Sequence, residues 1–156
     1  MLEHELWMKA LDDAHWELQE ALHGLPEKDL WKRPNPNLLS IGELCGHMVQ
    51  AESTYFLGST LNSPLVADSL RYYPYSVLEP FSPSVTLAEL QAEVTRIHEA
   101  TKAFFLSTRP PLDQPNPHRD DFTWQYTAEY MAFHVAYHTG QIMSVRHLMG
   151  HDTPDN

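Results

Sequence analysis

The sequence predicts an all-α protein, a four-helix bundle in up-down-down-up order with a long crossover between its second and third helices. Three observations carry this expectation. Apolar residues recur at helical spacing in four stretches, two of those stretches open with a capping box, and proline-rich segments separate them. The sequence has no alternating strand pattern, internal repeat or low-complexity tract.

Residues 2–23 place Leu6, Trp7, Ala10, Leu11, Ala14, Leu18, Ala21 and Leu22 at helical spacing, with Asp12, Asp13, Glu17 and Glu20 mostly elsewhere. Gly24 and Pro26 end this helix. The segment LPEKDLWKRPNPN then reads as a structured connection anchored by Leu30 and Trp31. Ser40 with Glu43 forms the first capping box, and Ile41, Leu44, Met48, Ala51 and Tyr55 make one face of a helix running to about Leu61. From there to Ser84 four prolines and little periodicity mark the crossover. Its length suits a traverse of the whole bundle, so the second and third helices are expected to run parallel.

Thr86 with Glu89 opens the third helix, whose buried stripe is Leu87, Leu90, Val94, Ile97, Thr101 and Phe104 or Phe105, and which stops before Arg109-Pro110-Pro111. After a loop, LDQPNPHRDD, the last helix starts between Thr123 and Ala128, runs to Met149 and is closed by Gly150.

Composition narrows the function. A chain of 156 residues with 42% hydrophobic residues suits one domain spanning 1–156, able to bury its own core. No apolar run approaches the roughly 20 residues of a membrane span. The acidic N-terminus lacks the basic start of a secretory signal. The single cysteine, Cys45, cannot form an internal disulfide, so a cytoplasmic location is expected. A net charge of -11 with no basic cluster opposes a nucleic-acid partner.

Ten histidines motivate a search for metal-ligand spacing. His134 and His138 are four apart in MAFHVAYHTGQIMSVRHLM, so they stack on one helical face and can chelate one ion. Met131, Gln141, Val145 and Leu148 share that face, which points the pair at the core, while Arg146 and His147 lie away from it. His47 falls among Leu44, Met48 and Ala51 on the buried side of the second helix. An HxxxH pair alone is common on ordinary helices; a third core-facing histidine on another helix is what singles this one out.

Three buried imidazoles are expensive without a common partner, and a metal supplies one. Three neutral imidazoles also leave a coordination position open, the arrangement of a catalytic site. Zinc and nickel lead the candidates, with iron, manganese and cobalt also suited. His4, His15, His23, His98, His118 and His151 lack such spacing and read as solvent-exposed. Cys45, about 200° around the helix from His47, reads as a packing residue, and Glu52 as solvated. HVAYH has Val135 where a zinc peptidase places its general-base Glu, and the paired Glu-x-x-His motif of di-iron bundles is missing. A single metal, without peptidase chemistry, is the simpler reading.

These residues resemble the DinB/YfiT-like metalloenzymes across nearly the whole chain. DLWKRPNPNLLSIGELCGHMVQAE is similar to that family's loop and second helix, and HVAYHTGQIMSVRHLMG to its last helix with the H-x-x-x-H-x-G-Q-I core. The resemblance implies an up-down-down-up bundle holding a divalent metal through positions matching His47, His134 and His138; Gln141 also matches the motif and can support the site from one turn on, through the metal or through a helix neighbour. It further implies a homodimer, and relatives include thiol-dependent S-transferases and an isomerase.

The leading expectation is therefore a metal-dependent transferase, in which a small thiol is held as thiolate and directed at an electrophilic small molecule. Tyr72, Tyr73 and Tyr75 of the crossover are candidates to line its mouth, with packing the favoured role for each taken singly. A metal-dependent hydrolase is the second enzyme reading, and a non-catalytic metal-binding or interaction module the third. No general base stands out beside the three histidines.

Overall fold

The first apolar stripe forms α1 (Glu3–Leu22), the first of four helices in a computed structural model that describes residues 3–66 and 79–153. Met8, Leu11, Ala14, His15, Leu18, Ala21 and Leu22 are buried, so the stripe lies slightly off the expected one: Leu6 and Ala10 face outward and Met8 and His15 replace them. A short 3₁₀ turn (Glu27–Asp29) follows, and the chain returns across the start of the next helix.

The capping box of Ser40 and Glu43 is present, and it starts α2 (Ile41–Leu57). This helix ends four residues earlier than expected. Gly58 takes the left-handed conformation at φ 65°, where a side chain would also strike the ring of His118. Most of α2 is buried, including Glu43, Cys45 and Glu52. Thr86 and Glu89 cap α3 (Leu87–Thr108) in the same way, and its buried stripe is Leu90, Val94, Ile97, His98, Thr101 and Phe105. The bulk of the crossover, with Tyr72, Tyr73 and Tyr75, lies at 67–78, outside the described residues.

The proline-rich loop before the last helix contains a small antiparallel hairpin, β1 (Pro115–Asn116) with β2 (Arg119–Thr123), which corrects the expectation of irregular chain there. It escaped a periodicity search because its paired portion is short and its register is irregular. Asn116 fastens it to the helices: its amide donates to Tyr55 O at 2.8 Å and Thr127 Oγ1 at 2.9 Å. Its Oδ1 accepts from His118 N at 2.8 Å. Thr123 then caps α4 (Trp124–Leu148).

α1 packs against α3 and α4, and α2 likewise lies against both of them. Four contacts position these elements. Arg146 near the end of α4 reaches Ala21 at the end of α1, and His4 near the start of α1 reaches Pro110 just past α3. Phe56 of α2 meets Phe105 of α3 edge-on, while Tyr55 stacks on Tyr130 of α4. Phe56 and Phe105 are fully buried, each contributing about 1.5–3 kcal/mol by its transfer from water. No described helix is long and apolar enough to cross a membrane.

Candidate metal centre

α2 and α4 bring His47, His134 and His138 together, their ligating nitrogens all within 4.8 Å of one another. His134 Nε2 stands at the centre, 3.0 Å from His47 Nε2 and 3.1 Å from His138 Nε2. His134 and His138 converge because residues four apart stack on one helical face, and that face meets α2 where His47 lies. His134 is buried, and the other two are half-buried.

The electrostatics favour neutral rings. Loss of water, then the nearby His138, pushes the His47 pKa down to about 4. His134 falls to about 3 through desolvation first and then its two histidine neighbours, with the Glu52 carboxylate pulling weakly the other way. His138 is also lowered by burial, against a contact from Gln141. That contact fixes a tautomer. Gln141 Oε1 lies 2.6 Å from His138 Nδ1 and can only accept, so the proton sits on Nδ1 and the Nε2 lone pair faces the other rings.

A cation fits this arrangement. Two imidazole nitrogens bound to one ion at about 2.0–2.1 Å lie roughly 2.8–3.4 Å apart at bond angles of about 90–110°, a range that includes the observed 3.0 and 3.1 Å. His134 Nδ1 is buried with no hydrogen-bond partner, so Nε2 is the nitrogen through which this ring can be satisfied. Tyr130 stacks on His134 at 5.4 Å, and Tyr137 sets its ring edge-on to His138 at 5.1 Å. These two tyrosines of α4 are the described aromatic residues beside the site.

The rest of the expected α4 face holds in part. Met131 and Val145 are buried, but Leu148 is 66% exposed. Arg146 is buried, not turned away: it donates to Ala21 O at 2.6 Å, His23 O at 2.9 Å and Asp152 O at 2.8 Å. A helical wheel cannot show that the carbonyls ending a neighbouring helix require a donor at this point. Cys45 is fully buried, and desolvation raises its thiol pKa to about 12, so it packs and does not ligate.

A second cluster overturns the expectation of solvent exposure for His15, His98 and Glu52, all of which are buried. Glu52 Oε2 lies 2.7 Å from His15 Nε2, and Glu52 Oε1 lies 3.2 Å from His98 Nδ1. His98 Nε2 in turn meets Asp12 Oδ1 at 2.8 Å, and Lys102 donates to both Asp12 oxygens. Burial alone would raise the Glu52 pKa, but the two histidines outweigh it and bring it down to about 2. His98 is raised, because Glu52 and Asp12 overcome the opposing effect of burial. Of the other histidines expected at the surface, His23 and His118 are exposed. His4 and His151 are half-buried, bonded to Pro110 O and Asp29. The signal for His15 and His98 was positional: each continues an apolar stripe, His15 between Leu11 and Leu18, and His98 beside Val94 and Thr101.

A helical bundle with convergent histidines on two of its helices defines a class of candidate metalloprotein. Residues 10–142 match the sequence model of the DinB superfamily, and the chain belongs to that superfamily. A search of curated proteins finds none that matches this chain.

Proposed function

We propose that this DinB-superfamily protein is a divalent-metal-dependent enzyme that transfers a low-molecular-weight thiol to an electrophilic small molecule. The observation that carries the reading is the meeting of three imidazole Nε2 atoms, with 3.0 and 3.1 Å between neighbours. His47, His134 and His138 would hold one ion, zinc or nickel foremost. Such an ion supplies Lewis acidity that stabilises a thiolate near neutral pH.

The chain's own residues have separable tasks. Gln141 holds the His138 proton on Nδ1, leaving Nε2 free to bind. Burial keeps His47 and His134 unprotonated at neutral pH, so no proton competes for their lone pairs. Tyr130 and Tyr137 confine the rings, and Tyr137 also accepts a hydrogen bond from Gln141 at 3.3 Å. Three ligands are fewer than the four or more that these ions take, which leaves room for a substrate atom. The reading includes a single cytoplasmic domain that forms a homodimer, in keeping with the family. The charge of -11 supports small molecules over nucleic acid as partners.

The test is metal content and turnover together. Elemental analysis of untagged protein is expected to find about one ion per chain at this site, lost in His138→Ala. The loaded protein is then assayed with small thiols and electrophiles, and separately with ester and amide substrates. Thiol consumption that requires the ion supports the transferase. Hydrolysis without thiol consumption replaces it with a metal-dependent hydrolase, and tight metal binding with neither leaves a non-catalytic module.

A further inference from the structure

We propose that His15, Glu52 and His98 form a second divalent-cation site, independent of the three-histidine centre. The three residues come from α1, α2 and α3, and their ligating atoms lie within 4.8 Å of one another in the interior. Glu52 is 1% exposed and directs one carboxylate oxygen at each imidazole. Two nitrogens and a carboxylate are a donor set that zinc and its neighbours accept.

The surroundings of His98 are those of an oriented ligand. Asp12 Oδ1 takes up Nε2 at 2.8 Å, and Lys102 holds Asp12 in turn at 2.8–2.9 Å. A carboxylate on the far nitrogen of a ligating histidine fixes its tautomer and raises its basicity, and here it turns Nδ1 towards Glu52. The Nδ1 to Oε1 distance, 3.2 Å, is longer than the roughly 2.7–2.9 Å of a charge-assisted hydrogen bond. It is close to the separation of a nitrogen and an oxygen bound to one ion at about 2.0–2.2 Å. The His15 and His98 rings stack at 4.0 Å, which keeps both donors on the same carboxylate.

Charge balance says what a cation would replace. Glu52 and Asp12 carry two negative charges against the single positive charge of Lys102, so the cation-free cluster is balanced by a proton on an imidazole. A divalent ion displaces one proton to solvent, leaving both imidazoles neutral: His98 keeps its proton on Nε2, against Asp12, and His15 carries its proton on Nδ1, so that His98 Nδ1 and His15 Nε2 are free to bind. Asp12, with a side chain 36% exposed, is the edge where water and ions reach the cluster.

The experiment loads metal-free protein with zinc, removes excess by gel filtration and counts zinc per chain, with circular dichroism confirming the fold. Wild type is expected to retain about two ions, and His134→Ala/His138→Ala about one. Adding Glu52→Gln to that double variant removes the remaining ion. If the triad itself binds nothing, wild type holds one ion that only Glu52→Gln removes, which supports this site while overturning the proposed function. A folded double variant with no zinc overturns the second site. Should the Glu52→Gln protein not fold, anomalous scattering from zinc-soaked wild-type crystals decides. A peak between His15, Glu52 and His98 supports the proposal, and its absence shows a hydrogen-bonded network only.

Discussion

Gln141 holds His138 by its Nδ1 proton at 2.6 Å, one turn along α4 and on the side of the ring opposite Nε2, the nitrogen that meets His134 at 3.1 Å. The contact chooses which nitrogen is basic, so under the proposed metal binding it would act on affinity without touching an ion. Gln141→Leu should weaken zinc binding by about 10–100-fold while leaving the unfolding of metal-free protein little changed. Competition against a chromophoric chelator measures the first, and urea titration the second. Unchanged affinity would show that the tautomer is fixed by something else.

Glu43 ties three segments together from the first turn of α2. Arg33 grips it through two bonds of 2.8 and 2.6 Å, and Ser40 N and Phe81 N donate to it at 2.8 and 2.9 Å. Burial works to raise its pKa, but these donors outweigh burial and leave it lowered. A carboxyl whose folded-state pKa is depressed stabilises the fold above its ordinary value of 4.5 and loses that contribution as pH falls through the folded value. Glu43→Gln should therefore cost about 3–5 kcal/mol at pH 7 by stranding Arg33, and its deficit relative to wild type should shrink in acid. Urea unfolding across the acid range checks the sign; a deficit that grows in acid would contradict it.

The residues legible from sequence were those whose chemistry follows from one helix at a time. His134 and His138 announce themselves by spacing, and His47 by its place in an apolar stripe. The capping boxes at Ser40 and Thr86 mark two helix starts because each is a local exchange of hydrogen bonds. His15, Glu52 and His98 were misplaced because each is a single polar residue on a different helix. Only packing three helices together shows that they satisfy one another. Arg146 failed for the same reason, its partners lying more than 120 residues away at Ala21 and His23. The hairpin at Asn116 depends on bonds to Tyr55 and Thr127 that no local pattern encodes.

Trp31 lies across the first turn of α2 where Gly42 has no side chain. A Cβ on Gly42 would come within 2.4 Å of the indole, whose Nε1 donates to Val85 O at 3.0 Å and so cannot slide freely. Gly42→Ala should destabilise the protein by about 1–3 kcal/mol through overpacking. In a Trp31→Ala background the same change should have little effect, because the clash has been removed. A double-mutant cycle from denaturant unfolding measures the coupling, and additive effects would refute a direct clash.

Arg146 completes the C-terminus of α1 from a different helix. The last carbonyls of any helix lack intrahelical donors, and near the end of α1 those of Ala21 and His23 are supplied by one guanidinium, which also reaches Asp152 O. Desolvation lowers the Arg146 pKa, yet a guanidinium stays charged at any ordinary pH, so its bonds are charge-assisted. Arg146→Ala leaves the buried Ala21 carbonyl unpaired and removes the bonds to His23 O and Asp152 O, and should cost about 2–4 kcal/mol. Arg146→Lys should recover only part of this, since an ammonium is a point donor and cannot span three carbonyls as a planar fork does. Hydrogen exchange separates this from a general loss of packing: the amides of the last turn of α1 should lose protection first, ahead of those in α2 and α3. Uniform loss across all four helices would instead mean that Arg146 acts by filling space.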